Sequence, residues 1–220
     1  GNYLLDQRLS LSWTNLFSSL HDILSEFRNV VPNIPWSDET ITNSARDMYI
    51  TKTEREYENF YNGWKNTFTF LFDDTAPTVS INNVEYKNFH TIWPIIKEYI
   101  ENNMLQFKPS LIHGDCCFSN ILYAPDKNII RFIDPRGSFG KKGIYGDIRY
   151  DVAKLYHSVD GTYEAFITDK FQVSQQSNKY QLTIFDQNKI EWAKKYFEST
   201  FFPFFNQQDI KIIQGCIFIG

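Results

Sequence analysis

The stretches LIHGDCCFSN at residues 111–120 and IRFIDPRG at residues 130–137 carry the most information in this 220-residue chain. They contain three polar side chains at fixed intervals. Asp115 and Asn120 are five positions apart, and Asp134 follows fourteen positions later, at the end of an apolar run. Short apolar runs rich in Ile, on both sides of a segment with Pro, Asp and Asn, predict a β-hairpin with these side chains on its loops.

This spacing indicates phosphoryl transfer from ATP. The reaction needs a carboxylate that accepts the proton of the attacking hydroxyl, and an amide and a second carboxylate that hold Mg²⁺ on the phosphates. Asp115 fits the first role. Asn120 and Asp134 fit the second, because Mg²⁺ prefers hard oxygen ligands. Taken singly, Asn120 would be a turn residue and Asp134 a cap before Pro135, but their joint spacing from Asp115 favours metal binding.

The pattern H-G-D-x-x-x-x-N followed by I-D-x-x-G resembles the aminoglycoside phosphotransferase and choline kinase family. YDVAKL at residues 150–155 looks like the D-[IV]-A segment of that family, and the resemblance covers residues 111–158. The FSN and DPRG variants look most like kinase-like proteins of bacterial capsular or lipopolysaccharide gene clusters. The resemblance implies an ATP- and Mg²⁺-dependent phosphotransferase that acts on a small-molecule hydroxyl, of choline, an amino alcohol, a sugar or an aminoglycoside-like acceptor.

The resemblance also implies roles for the residues around the motif. His113 belongs to the catalytic motif, and we favour a supporting hydrogen bond over proton transfer as its role. Gly114 and Asp151 are expected to support the same loop. Arg136 is expected at the cofactor, where it either meets a phosphate or anionic substrate or pairs with Asp147 or Asp151. These two carboxylates lie one helical turn apart and are both expected to face the site.

Apolar periodicity predicts a mainly helical chain. Thr53 with Glu56 is interpreted as a capping box that opens the third helix. Pro94 is expected in the first turn of the fourth, and residues 73–83 are expected to form a loop. The predicted helices cover residues 9–31, 53–72, 88–103, 146–159, 188–202 and 207 onward, with a turn and a second short helix within 37–50 and a loop at 138–146. The predicted strands cover 111–112, 121–123, 129–133, 171–173 and 180–184, and the last two are expected to pair.

We therefore expect a single α+β, mainly helical domain over residues 1–220, similar to the C-terminal lobe of the protein-kinase-like fold with a small catalytic hairpin. It divides into a helical subregion (1–105), a catalytic and metal-binding segment (106–160) and a helical, truncated end (161–220). The residues before Asp115 contain no glycine-rich loop and no strand Lys for the phosphates. The resemblance thus predicts an N-terminal lobe upstream, and we expect the chain to fold but to be inactive alone.

Composition excludes several classes of partner. The net charge of −4 leaves no basic footprint for nucleic acid. The apolar runs are far shorter than the ~20 residues of a membrane span, and no signal peptide is visible. Three cysteines make no disulfide framework, which favours a reducing cytoplasm. Cys116 and Cys117 are interpreted as small apolar fillers, because no second Cys/His pair stands at zinc spacing.

Two further functions and one further ligand remain open. A kinase-like module without catalysis would serve as a binding or scaffold protein in surface-polysaccharide biosynthesis. A metal-dependent hydrolase would need more bridging carboxylates than the spacing provides. Aromatic side chains either hold the quaternary ammonium of choline by cation–π attraction or simply pack in the core. The aromatic candidates are Trp64, Trp93, Tyr145, Tyr150 and Tyr156.

Overall fold

A computed structural model describes residues 10–69, 72, 75–176, 179–185 and 191–219. The fold is α+β, rich in helix and with small sheets. The helices among these residues are α1 (Ser10–Asn29), α2 (Asp38–Arg46), α3 (Lys52–Trp64), α4 (Phe89–Asn103), α5 (Ile148–Val159), α6 (Tyr163–Ile167), α7 (Glu191–Phe201) and α8 (Gln207–Ile219). The strands are β1 (Thr78–Ile81), β2 (Val84–Lys87), β3 (Ser110–Leu111), β4 (Ile121–Ala124), β5 (Ile129–Phe132), β6 (Ser138–Phe139), β7 (Lys141–Lys142), β8 (Tyr145–Gly146), β9 (Phe171–Gln176) and β10 (Lys179–Ile184). None of the helices in the described ranges has the length and apolar character needed to cross a membrane.

Helix α1 confirms the predicted first helix over its described residues. Leu16, Leu20 and Leu24 recur at helical spacing and are buried against the rest of the domain. Just after the helix, the carbonyl of Val30 accepts the N–H of Leu111 at 2.8 Å. This bond fixes the end of α1 to β3, the strand that leads into the H-G-D motif.

The second and third predicted helices form one continuous rod. Ser37 caps α2 by accepting the N–H of Thr40 at 3.2 Å. The predicted capping box at Thr53 is wrong, because a π-helical turn (Asp47–Thr51) joins α2 directly to α3. Thr53 lies inside the helix, where its hydroxyl donates to the carbonyl of Tyr49 at 2.9 Å. Helix α3 also ends before the predicted boundary, and part of that predicted extension falls outside the described residues.

The loop predicted for residues 73–83 is wrong where the structure describes it. Strands β1 and β2 form an antiparallel hairpin, and Asn82 and Asn83 make its turn with φ of 52° and 63°. Asn tolerates this left-handed conformation, which two-residue hairpin turns require. Strand β1 also pairs in parallel with β10, giving a sheet of order β2-β1-β10-β9. The predicted pairing of β9 with β10 is confirmed.

Helix α4 confirms its prediction except for Pro94. The residue before the helix, Asn88, is extended, and its carbonyl accepts the N–H groups of Thr91 and Ile92 at 3.0 Å. The helix therefore begins at Phe89, and Pro94 lies in its second turn rather than its first. Proline at this position removes one intrahelical hydrogen bond.

The predicted β-hairpin after Asn120 is confirmed as a structural element. Strands β4 and β5 pair in register from Ile121 opposite Phe132 to Ala124 opposite Ile129. Asn128 makes the turn with φ of 48°. The loop predicted for residues 138–146 contains three short strands. Strand β6 pairs with β7, and β8 pairs with β3, which lies earlier in the chain. The pairing of β3 with β8 brings the start of α5 beside the H-G-D motif.

Helix α5 lies at the centre of the domain, with ten buried residues in twelve. Asp147 caps it and accepts the hydroxyl of Tyr49 at 2.9 Å. Arg149 links Asp147 at 2.7 Å, Asp209 of α8 at 2.8 Å and the carbonyl of Met104 at 3.0 Å. One buried guanidinium thus connects α5, α8 and the end of α4.

Replacing Arg149 by Met is expected to lower the free energy of unfolding by about 3–5 kcal/mol, because Asp147 and Asp209 would remain buried without their cation. Urea denaturation followed by circular dichroism measures the loss. Arg46→Met is the matched control, since the ion pair of Arg46 with Glu101 is about 40% exposed on both sides and contributes at most about 1 kcal/mol. Equal losses in the two variants would contradict a structural role for the buried network.

Candidate active site

The loop between β3 and β4 carries the H-G-D motif and is fixed from below by α5. The carboxylate of Asp151 accepts the backbone N–H of His113 at 2.6 Å and that of Gly114 at 2.7 Å. Asp151 is fully buried. Burial raises the pKa of this carboxyl to about 7, although the two N–H donors act in the opposite direction. The structure therefore places Asp151 in the supporting position that the sequence predicts.

Gly114 is the point where the loop touches the segment after Asp134. Its φ is 79°, and a Cβ atom built there would lie 2.8 Å from Cβ of Arg136. The positive φ and the close approach both favour glycine. The H-G-D loop and the D-P-R-G loop can therefore pack directly on each other.

His113 makes three contacts, two of which join these two loops. Its Nε2 lies 2.9 Å from the carbonyl of Ile133, and its Nδ1 lies 3.3 Å from the N–H of Asp115. These contacts indicate a neutral ring that donates from Nε2 and accepts at Nδ1. The carbonyl of His113 in turn accepts the N–H of Arg136 at 2.9 Å. His113 thus supports the residues on both sides of Asp134, Ile133 through its ring and Arg136 through its carbonyl, and its ring nitrogens face the protein backbone.

Both carboxylate oxygens of Asp115 have partners within the chain. The amide nitrogen of Asn120 donates to Oδ2 at 3.0 Å and to the carbonyl of Asp115 at 2.9 Å. Lys154 of α5 lies 2.9 Å from Oδ1. The side chain of Asp115 keeps 37% of its surface exposed, so a hydroxyl can still reach it. The carboxylate is held from two sides and remains accessible.

Lys154 is a site residue that sequence reasoning missed. It lies three positions after Asp151, and residues at this spacing share one face of a helix. Because Asp151 is expected to face the loop, this spacing also predicts that Lys154 faces the loop. Lys52, the first residue of α3, was also missed. It is within electrostatic range of Arg136 and Lys154, and no local sequence pattern predicts this.

The two predicted metal ligands lie at the open end of the catalytic hairpin. Asn120 directly precedes β4, and the N–H of Ile133 donates to its carbonyl at 3.0 Å. Asp134 comes next, with φ of 54°, and is exposed. Since the amide nitrogen of Asn120 is bonded to Asp115, its Oδ1 is the atom left to meet a cation. An amide oxygen and a free carboxylate suit Mg²⁺, which usually takes only one or two protein groups.

Arg136 does not pair with the acids considered for it. Its guanidinium donates to the hydroxyl of Tyr150 at 3.0 Å and lies 5.9 Å from the centre of that ring. The expected partner Asp147 binds Arg149 instead, so Asp147 does not face the site beside Asp151 as expected. Arg136 is therefore held by a neutral phenol, and its positive charge is not cancelled there.

Cys116 and Cys117 are buried thiols behind the loop. Burial raises the pKa of both thiols, so they remain protonated. The hydroxyl of Ser119 lies 3.1 Å from the sulfur of Cys117. These contacts fit the interpretation of the pair as apolar fillers.

The five aromatic candidates contact different parts of the chain. Tyr150 and Tyr156 are buried, and the hydroxyl of Tyr156 donates to Glu198 at 2.6 Å. Trp93 is also buried, and its indole donates to Glu54 at 3.0 Å. The neighbours of these three rings support core packing rather than a shared ammonium cage. Trp64 is half exposed on α3, with its ring 5.8 Å from that of Phe68, and Tyr145 of β8 is half-buried.

No protein-family model matches the chain, and no curated protein matches it. Among solved structures, the fold is similar to that of the aminoglycoside phosphotransferase APH(3'')-Id from Streptomyces rimosus. The two chains are 16% identical, and the TM-score is 0.46. The similarity covers 94% of this chain and 60% of that one. The chain thus spans less than two thirds of the length of that phosphotransferase.

Gly114→Ala is expected to destabilise the fold more than Gly137→Ala. Both glycines have positive φ, of 79° and 71°, but a Cβ atom at Gly137 meets nothing within 4 Å. In the Gly137 variant, the free energy of unfolding should therefore fall only by the cost of the left-handed backbone conformation, about 1–2 kcal/mol. The Gly114 variant adds the clash with Arg136. Urea denaturation of both variants measures the difference, and equal losses would contradict the close packing of the two loops.

The stability contribution of Asp151 is expected to depend on pH. From about pH 4, near the ordinary pKa of Asp, to the raised pKa of about 7, the folded chain keeps a proton that the unfolded chain has released. The free energy of unfolding of the wild type should therefore fall with rising pH, relative to Asp151→Asn, by up to about 1.4 kcal/mol per pH unit.

Urea denaturation of both proteins across this pH range measures the difference. The comparison with Asp151→Asn is needed because burial lowers the pKa of His157 to about 4, which produces the opposite slope in both proteins. The wild type and Asp151→Asn are compared by their free energies of unfolding. If the difference between these two values does not change with pH, the raised pKa of Asp151 is contradicted.

Proposed function

We propose that the chain is the acceptor-binding lobe of an ATP- and Mg²⁺-dependent phosphotransferase that acts on a small-molecule hydroxyl. The observation that carries this proposal is the arrangement of Asp115. Its carboxylate is exposed, oriented by Asn120 and Lys154, and held on a loop that Asp151 fixes from behind. Such an oriented, accessible carboxylate suits a reaction in which positioning counts for more than basicity.

In this proposal, Asp115 accepts a hydrogen bond from the acceptor hydroxyl and directs its oxygen to the terminal phosphorus of ATP. The new bond forms between this oxygen and phosphorus, while the bond from phosphorus to the leaving oxygen of ADP breaks. The hydroxyl proton passes to Asp115. The two contacts of the carboxylate, with Asn120 at 3.0 Å and Lys154 at 2.9 Å, fix its orientation before the acceptor arrives.

Asn120 and Asp134 are the residues that would hold Mg²⁺. The ion would supply positive charge that neutralises the phosphates of ATP. The two ligands are brought to the same end of the hairpin by the register of β4 and β5 and by the contact of His113 with Ile133. Arg136, one residue beyond Pro135, adds a cation next to the same phosphates.

We also propose that an N-terminal lobe with the glycine-rich loop and the phosphate-binding Lys precedes this chain in the complete protein. Nucleotides of kinase-like enzymes lie between two lobes, so the 220-residue chain alone should bind ATP weakly and turn over little. The complete enzyme would act in the cytoplasm. Its FSN and DPRG variants support a role in building bacterial surface polysaccharides.

Asp115→Asn in the complete protein is expected to reduce phosphoryl transfer at least about 100-fold, because the group that orients the hydroxyl and takes its proton is lost. Binding of Mg·ATP should be retained. Isothermal titration measures binding, and release of ADP in the presence of a panel of hydroxyl acceptors measures transfer. Near-normal turnover in this variant would contradict the role of Asp115.

Asp134→Ala is expected to abolish the Mg²⁺-dependent part of ATP binding, because one of two protein ligands is removed. Asp126→Asn is the matched control, since Asp126 is an exposed residue at the turn end of the same hairpin. Titration with ATP, with and without Mg²⁺, measures the effect. The absence of Mg·ATP binding in the wild type would favour the alternative function, a kinase-like binding or scaffold module.

A further inference from the structure

One cationic side chain contacts Asp115, and two more lie in the same part of the site. Lys154 pairs with Asp115 at 2.9 Å. Arg136 lies on the loop that packs against Gly114, and Lys52, the first residue of α3, is within electrostatic range of both Arg136 and Lys154. Building on the proposed phosphotransferase function, we propose that the acceptor carries a negatively charged group, such as a phosphate monoester, that binds to Lys52 and Lys154 with Arg136 at its edge. This negative charge would distinguish the acceptor from choline and from aminoglycosides, which are cations.

The position of Lys154 assigns it to the acceptor side of the site. Asn120, a proposed metal ligand, bonds to Oδ2 of Asp115, whereas Lys154 bonds to Oδ1. The two partners therefore lie on opposite sides of one carboxylate, and Lys154 faces away from the metal ligand. Its side chain is only 15% exposed. An ammonium has three donors, and the contact with Asp115 at 2.9 Å uses one of them, so donors are available for an anion.

Lys52 shares this environment. Burial, together with the positive charges of Arg136 and Lys154, lowers the pKa of its ammonium to about 8. Lys52 is therefore within electrostatic range of the other two cations. Gathering like charges in a partly buried place is unfavourable in the free protein, and such an arrangement is frequent where a binding partner supplies the opposite charge.

The nearby acids have other partners. Asp151 is occupied by two backbone N–H groups. Glu56, which attracts Lys52, is bound by Arg55 at 2.8 Å and by Asn59 at 3.3 Å. Glu164 accepts the hydroxyl of Ser158 at 2.8 Å. Of these three acids and Asp115, only Asp115 contacts one of the three cations directly, through Lys154. Lys52, Arg136 and Lys154 together therefore carry an excess of positive charge.

This excess favours an anion and disfavours a cation in the same place. A quaternary ammonium or an amino sugar would bring a further positive charge beside Lys52 and Lys154, and like charges placed together cost several kcal/mol at an interface. A phosphate monoester would instead receive charge-assisted hydrogen bonds from both ammonium groups. Its hydroxyl, elsewhere on the same molecule, would then lie near Asp115.

The experiment measures binding of inorganic phosphate to the complete protein by isothermal titration, with choline as the cationic counterpart. The protein is first saturated with Mg²⁺ and a non-hydrolysable ATP analogue, which fills the nucleotide phosphate positions. Phosphate is expected to bind, and Lys52→Met and Lys154→Met are each expected to weaken it at least about tenfold. Lys52→Arg keeps the charge and should retain binding. Lys142→Met, in the exposed β7, is the control and should bind phosphate as the wild type does.

Several results would overturn the proposal. One is the absence of phosphate binding in the wild type, and another is tighter binding of choline than of phosphate. A third is equal phosphate affinity in the wild type, Lys52→Met and Lys154→Met. Phosphate binding that disappears when the ATP analogue is present would assign the cations to the nucleotide. The binding of Mg·ATP and its loss in Asp134→Ala test the phosphotransferase function separately, so failure of one proposal is distinguishable from failure of the other.

Discussion

The fixed position of the H-G-D loop depends on one buried carboxylate. Asp151 satisfies the two backbone N–H groups that the loop turns inward at His113 and Gly114. If either buried N–H had no partner, the free energy of unfolding would be lower by about 1–3 kcal/mol. His113, once fixed, contacts the residues on both sides of Asp134 through its ring and its carbonyl. The position of the loop that contains Asp134 therefore depends on Asp151, a buried acid that acts through the backbone N–H groups of His113 and Gly114.

Helix α5 gives this support its rigidity because it serves two networks on different faces. Asp151 and Lys154, three residues apart, face the catalytic loop. Asp147 and Arg149 face Tyr49 and α8. A displacement of the helix that relieved one network would break buried charged contacts in the other, which is expensive in a low-dielectric interior. The position of the H-G-D loop thus depends on the packing of the whole helical domain.

The sequence predicted best what local patterns control. The β4–β5 hairpin, the helix that follows Gly146 and the loop support by Asp151 are encoded by turn residues, apolar alternation and motif spacing. Thr53 was misread because a capping box describes only a local preference, while the π-helical turn before it is stabilised by burial. The Asn82–Asn83 turn was a missed signal for a hairpin. Lys52 had no local signal, since it reaches the site only through tertiary packing.

The contact between Lys154 and Asp115 links acceptor choice to catalysis in the proposed reaction. The ammonium that orients the carboxylate at 2.9 Å is also the nearest donor for an anionic acceptor. An acceptor that binds Lys154 by its charged group therefore has its position set relative to Asp115 by a shared partner. A neutral acceptor has no such anchor and must be oriented by weaker contacts. Because correct orientation is worth several orders of magnitude in rate, the cation that holds the base would also select the substrate.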